Sequence, residues 1–243
     1  MSYKSGVISN TGNIREKNED SVLLCHRDGK KSVLLLAAVA DGMGGLAHGE
    51  RASGHVVHTL RDWWQAQEGL EDRELAGIRD EVGFLVEKVH YQILKEATEG
   101  SVTMGTTLSL LFLKDDRFFV LQAGDSRVYR IYMKNMSQLT EDQTWCRDQV
   151  RAGRMNTIEL SVHPKRHVLS NAIGAKEDFF LENYEGTVKK GEKLLICSDG
   201  YYTYLNPKEL MRRRNPQKIL NNSERRILTE RAEDNFSAIL IQI

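Results

Sequence analysis

Between residues 106 and 133 the chain reads TTLSLLFL, KDD, RFFVLQA, GDS, RVYRIYM. Three apolar runs, rich in β-branched and aromatic residues, are separated by links of only three residues. A parallel crossover needs a dozen residues or more, so links this short predict antiparallel neighbours over Thr106–Leu113, Arg117–Ala123 and Arg127–Met133. Further strands are expected at Ser21–His26 and Ser32–Ala40, joined by a hairpin turn at RDGKK, then near Phe179–Tyr184, at Lys193–Ser198, and in the closing FSAILIQI.

Helical periodicity interrupts the strands in blocks. Ala52, Val56, Leu60 and Trp63/Trp64 recur every three to four residues, and so do Leu75, Ile78, Val82, Leu85, Val89, Ile93 and Ala97. NPKE at Asn206–Glu209 has Asn at the N-cap, Pro at the first helical position and Glu at the third, and predicts a helix start before a polar helical region. Helices therefore come in pairs between runs of antiparallel strand. That order suits two stacked sheets covered by helices, an α+β architecture, rather than a βαβ alternation. Residues from Thr140 to about His167 lose this regularity, apart from a short helix in TEDQTWCRDQVRAG with Gly153 after its end.

No repeat or Pro/Ser-rich linker divides the 243 residues, a length that one sandwich domain commonly fills, so one domain over 1–243 is expected. Lys+Arg and Asp+Glu each number 34. Without a basic excess, neither a nucleic-acid nor a membrane partner is expected. Three widely spaced cysteines, Cys25, Cys146 and Cys197, form no CxxC and suit reduced thiols rather than a disulfide framework or zinc site. MSYKSGVISN lacks a signal-peptide apolar region, and Val33–Ala40 is too short to span a bilayer. The chain reads as soluble and cytoplasmic.

Three apolar strands end in Asp beside Gly: LLLAAVADG at Asp41, FFVLQAGDS at Asp125 and KLLICSDG at Asp199. NEDSVLL puts Glu19 and Asp20 before a strand, and AEDNFSAILI puts Asp234 before the last one. Each alone reads as a turn, because Asp bonds its own backbone and Gly tolerates positive φ. Five together also suit a cation site, since crowded carboxylates repel unless a cation neutralises them, and oxygen donors favour Mg²⁺ or Mn²⁺. Both readings stand at this point. Arg15, in GNIREKNEDS, is either a surface arginine or a guanidinium fork for a phosphate. MRRRN at Met211–Asn215 reads as a solvated helix face, with an acidic partner as the sharper alternative. His55 and His58 read as helix-face residues.

GNIREKNEDS, VADGMGGLAHGERAS, MGTTLSLLFL, LQAGDSRVYRI, LTEDQTW, HPKRHVLSNAIGA, LLICSDG and EDNFSAILI follow one another in this chain as they do in metal-dependent protein serine/threonine phosphatases of type 2C. The chain resembles the small bacterial single-domain members over nearly its whole length. The resemblance implies a four-layer αββα sandwich, two central antiparallel β-sheets flanked by helix pairs, with about residues 140–168 as a flap beside the active site. It implies two Mn²⁺ or Mg²⁺ ions per subunit. Asp41 would bridge them, with the Gly42 carbonyl as an added ligand. Asp199 and Asp234 would complete one ion, and Glu19 would reach the other, often through water. Asp20 would orient the water, and Arg15 would hold the substrate phosphate. Asp125, with Asp199, would hold a third, weaker ion. A hydroxide bridging the two ions would attack the phosphorus of phosphoserine or phosphothreonine directly, without a phosphoenzyme, in a monomer that reverses a cognate Ser/Thr kinase on phosphoprotein substrates.

The sequence departs from the family pattern at Met43, where animal members carry a histidine proposed as general acid, and at Leu46, where bacterial members often carry one. His48 follows two residues on, and Asn10 stands where an Asp is common. The rival readings are a non-catalytic binding module and a phosphatase of small phosphoesters. Retention of Arg15, Glu19, Asp41, Asp199 and Asp234 argues against the first.

Overall fold

The computed structural model describes residues 3–29, 32–44 and 48–243. Its strands are β1 (Lys4–Asn10), β2 (Asp20–Asp28), β3 (Val33–Met43), β4 (Gly105–Thr106), β5 (Leu108–Lys114), β6 (Arg117–Ala123), β7 (Arg127–Tyr132), β8 (Asn135–Gln138), β9 (Glu182–Thr187), β10 (Lys193–Cys197) and β11 (Phe236–Gln242). Its α-helices are α1 (His48–Ala66), α2 (Leu75–Gly100), α3 (Trp145–Arg151), α4 (Thr157–Val162), α5 (Asp199–Tyr202), α6 (Pro207–Leu210) and α7 (Pro216–Thr229). One antiparallel sheet runs β1-β11-β10-β7-β8. The other runs β2-β3-β5-β6-β9, with β4 beside β3.

The run VLLLAAVA is unbroken because both faces of β3 are buried. Leu34, Leu36, Ala38 and Ala40 face the layer of α1 and α2, while Leu35, Ala37 and Val39 face the other sheet. Ile196, Ile239 and Ile241 meet them across that interface, and on the far face Leu195, Cys197, Ala238 and Leu240 pack on Tyr201, Leu210, Ile219 and Ile227. The layers are therefore helix, sheet, sheet, helix, as expected. Trp63 and Trp64 anchor α1 against Phe112, which stacks on Phe119 with ring centroids 5.4 Å apart. Phe112→Ala removes the ring at the centre of this cluster. We expect a loss of about 3–5 kcal/mol, read as a lower denaturant midpoint at unchanged slope.

Four expectations change. KDD joins β5 to β6 as a hairpin, but GDS does not join antiparallel neighbours. β7 pairs β10 and β8, so the three residues carry the chain from one sheet to the other. Gly124 takes φ +92°, against the Thr107 side chain, and makes the corner. The strand expected near 179–184 lies at Glu182–Thr187, opposite β6. β1 and β8 were not expected, because edge strands such as KSGVISN and NMSQ keep too little apolar alternation. MRRRN is not a helix face. α6 stops at Leu210, and a second Asn-Pro cap, Asn215–Pro216, starts α7. The turn at RDGKK includes Lys30 and Lys31, and Leu46 falls in 45–47; all lie outside the described residues.

Candidate active site

The five strand-end aspartates gather at one end of the sandwich. Asp20 begins β2 directly opposite Asp41 near the end of β3. Asp199 follows β10 as the first residue of α5, Asp234 precedes β11, and Asp125 follows β6. Antiparallel pairing of β10 with β11 brings the end of one beside the start of the other, which places Asp199 near Asp234.

Their electrostatics are those of confined like charges. Burial pushes the Asp41 carboxyl well above the ordinary range, and the charges of Asp20, Asp199, Asp125 and Asp234 add to it. Asp199 is raised by burial and then by Asp234, and it meets the Asp41 carboxyl within hydrogen-bond reach. Burial lifts Asp20 to about 7 although hydrogen bonds from Ser237 and Ser198 oppose it. Burial and the charges of Asp199 and Asp142 lift Asp125 to about 8. Ser198 Oγ donates to Asp20 Oδ2 at 2.8 Å, while Asp20 Oδ1 is buried with no partner. An orphaned carboxylate oxygen among other carboxylates is costly unless a proton or a cation joins it.

Backbone contacts fix the rim. Asp41 N–H donates to Thr107 Oγ1 at 3.0 Å, and its carbonyl accepts from the Thr107 N–H at 2.9 Å and Thr106 Oγ1 at 3.0 Å. The Glu19 carbonyl accepts from the Gly42 N–H at 3.1 Å and from Ser53 Oγ at 2.6 Å. Asn235 ties three segments together: Oδ1 accepts from the Glu19 N–H, and Nδ2 donates to the carbonyls of Thr11 and Lys17, each at 2.9 Å. Glycine allows the close approaches. A Cβ on Gly42 would lie 2.3 Å from the Gly49 carbonyl oxygen, and one on Gly200 would lie 2.0 Å from that of Asn235. Gly200→Ala is therefore expected to push Asp199 away from Asp234. It should cost stability by about 2 kcal/mol or more and most of the activity, checked by thermal unfolding beside turnover.

Arg15 NH2 pairs with Asp234 Oδ2 at 2.9 Å, on the exposed side of the rim. Arg127 grips Asp142 with two bonds, Nε–Oδ1 at 2.8 Å and NH2–Oδ2 at 2.6 Å, and lowers the charge penalty on Asp125. A cavity of about 620 Å³ opens beside the rim, lined by Asp41, Asp125, Asp199, Met43, Trp145 and His167 among others. Cys197 is buried in the core, and burial pushes its thiol far up, so it is no nucleophile.

Hard oxygen donors dominate this rim, and its net charge calls for a divalent cation. The side chains share one rim; among the described residues no three of His, Cys, Asp or Glu close around a single point tightly enough to enclose an ion as placed. The donor set and the orphaned Asp20 oxygen nonetheless fit such an ion.

The profile of Protein phosphatase 2C matches residues 14–238. The chain belongs to that family. Among its relatives is the serine/threonine phosphatase stp of Listeria innocua, 27% identical over 249 residues that cover 95% of this chain and 92% of that one. The Streptococcus agalactiae serine/threonine phosphatase has the same fold, with TM-score 0.89, 23% identity and full coverage of both chains. The catalytic domain of the serine/threonine protein phosphatase PstP, in complex with two manganese ions, matches with TM-score 0.79 and 25% identity over 99% of this chain and 97% of that one.

Every expected site residue of this 2C-type chain falls at the same end of the sandwich, on the rim or in the segments joined to it. The supporting residues Thr107, Ser198, Asn235 and Ser237 were not expected. SD and DN carry Ser198 and Asn235 directly beside expected carboxylates, which is the signal that would have found them; Thr107 and Ser237 have no such neighbour and come to the rim only through the fold. His48 Nδ1 is buried without a hydrogen-bond partner among the described residues.

Proposed function

We propose that this chain is a metal-dependent protein serine/threonine phosphatase whose catalytic domain spans 1–243, with about 140–168 as a flap. One observation carries the reading: Asp20, Asp41, Asp125 and Asp199 are all raised by burial in one another's field. Proteins retain such a cluster where a cation is to sit. Asp41, Asp199 and Asp234, with the Gly42 carbonyl and Glu19, would hold two Mn²⁺ or Mg²⁺ ions, and Asp125 with Asp199 a third. When bound, such ions activate water as a nucleophile and offset the charge on phosphoryl oxygens.

The chain's own residues supply the rest. Ser198 pins one oxygen of Asp20, leaving the other to accept a hydrogen bond from the attacking water. The Arg15 guanidinium is held at the rim by Asp234, where its fork would bind the substrate phosphate once Asp234 served as an ion ligand. Trp145 and His167, from the flap, border the cavity and bear on substrate choice. Phosphoprotein substrates, an opposing Ser/Thr kinase, a monomeric state and a cytoplasmic location complete the reading. No helix among the described residues is long and apolar enough to cross a membrane.

The test is turnover of a phosphothreonine peptide with Mn²⁺ and with chelator. Phosphate release is expected only with the metal, and chelator-resistant turnover would contradict the proposal. Arg15→Ala should raise KM for an aryl phosphate by roughly 10–100-fold, the worth of a charge-assisted bond, with a smaller effect on kcat. Arg15→Lys should recover only part of this, because an ammonium lacks the planar fork.

A further inference from the structure

The sheet that carries Asp199 and Asp234 at one end carries a cavity of opposite charge at the other. Pairing sets Lys193 and Lys4 on either side of Gln242, the last residue of β11, whereas Asp234 lies just before its first. Around this far end a cavity of about 540 Å³ is lined by Lys4, Lys190, Lys193, Arg213 and Arg214 and, among the described residues, by no acidic side chain. Lys4, Lys190, Arg213 and Arg214 make no ion pair with any described residue. Elsewhere arginines face acids: Arg79 pairs with Glu185, and Arg151 with Glu141 and Glu182.

The wall is built rather than merely charged. Lys193 is buried, and its Nζ donates to the carbonyls of Leu210 at 2.8 Å and Arg212 at 2.6 Å. These bonds fasten the non-helical 211–215 link, which carries Arg213 and Arg214, to the start of β10. Tyr132, Met133 and Met211 supply an apolar part of the lining, and Met133 is 76% exposed. Guanidinium forks suit phosphate oxygens. An apolar flank beside them suits the neighbouring side chains of a peptide rather than a bare ion.

We propose that this cavity docks a phosphorylated segment of a protein partner, apart from the catalytic rim; that the partner is the substrate rests on the phosphatase reading. β11 spans seven residues. At about 3.4 Å per residue the two ends lie roughly 24 Å apart, so a docked phosphate and a scissile one must be separated by at least about eight residues of extended chain. Short phosphopeptides cannot reach both.

The test uses the full chain and a fluorescein-labelled 20-residue peptide carrying a non-hydrolysable phosphonate analogue of phosphoserine. Anisotropy is read with chelator present, so that the catalytic rim is not loaded. The double variant Arg213→Glu/Arg214→Glu is expected to weaken binding at least about tenfold, and Lys190→Glu to act in the same direction. All three side chains are surface cations, and turnover of an aryl phosphate with Mn²⁺ should stay unchanged in both variants. A long peptide phosphorylated at two sites should show a raised KM in the variants at unchanged kcat. Equal binding by wild type and double variant overturns the proposal. So does equal binding of the unphosphorylated peptide, equal binding of an oligonucleotide of matched charge, or displacement by inorganic phosphate at matched concentration. Intact docking without aryl phosphate turnover would sink the catalytic reading and leave the docking site standing.

Discussion

Asp41→Asn is expected to lower kcat/KM on an aryl phosphate or a phosphothreonine peptide by roughly 10³-fold, the equivalent of about 4 kcal/mol of transition-state stabilisation. The same change is expected to stabilise the metal-free protein. Asp41 is half-buried opposite Asp20 and within reach of Asp199, and its charge is opposed by all four neighbouring aspartates. An amide of the same shape removes one of those charges and still hydrogen-bonds. A gain of about 1–3 kcal/mol at neutral pH follows, read as a higher melting temperature in chelator. Opposite signs for activity and stability distinguish a cation site from a structural turn. An Asp that only shapes a turn would lose stability on substitution and keep its activity.

Stability of the metal-free protein should fall as pH rises from about 5 to about 8. The carboxyls of Asp20 and Asp125 hold protons in the folded state up to about 7 and about 8, against an ordinary 3.8 in the unfolded chain. The folded state therefore binds more protons than the unfolded one across this window. The stabilisation is complete below the unfolded value and is lost as pH passes through the folded values. A displacement of about three units for Asp20 corresponds to about 4 kcal/mol as an upper bound. Saturating Mn²⁺ should flatten or reverse the trend, because the ion takes the place of the protons. Thermal melts at stepped pH, with chelator and with Mn²⁺, measure both slopes. A metal-free protein whose melting temperature rises from pH 5 to 8 would contradict the assignment.

How much of this was legible in the sequence depends on what each segment buries. β3, β5 and β11 bury both faces and read as apolar runs, broken in β5 and β11 only by Ser109 and Ser237 before their polar last residues. α1 and α2 bury one face and read as periodic stripes. β1 and β8 sit at sheet edges, where half-exposed positions accept Ser, Asn and Gln, and no pattern survives. KDD and GDS have equal length and similar chemistry, yet one turns a hairpin and the other changes sheets. The difference lies in the packing of Gly124 on Thr107 and the burial of Asp125, which are tertiary facts.

The site divides in the same way. Asp41, Asp199 and Asp234 stand at strand ends, where a carboxylate after apolar residues is conspicuous. Asn235 and Ser198 look like ordinary small polar residues, and only the folded chain shows them holding Glu19 and Asp20. Arg15 was legible as a phosphate fork, but its resting partner, Asp234, lies 219 residues away. MRRRN lost its helical reading because two successive Asn-Pro caps split the region, and that break brings its arginines beside Lys193.

The most direct test of the central claim is calorimetric titration of the metal-free protein with Mn²⁺ at pH 7.5, repeated in buffers of different ionisation enthalpy. Two tightly held ions per chain, with a weaker third at Asp125, are expected to bind with release of protons from the aspartate cluster, and this binding is expected to be lost in Asp41→Asn. Binding without proton release, or an unchanged isotherm in Asp41→Asn, would contradict it.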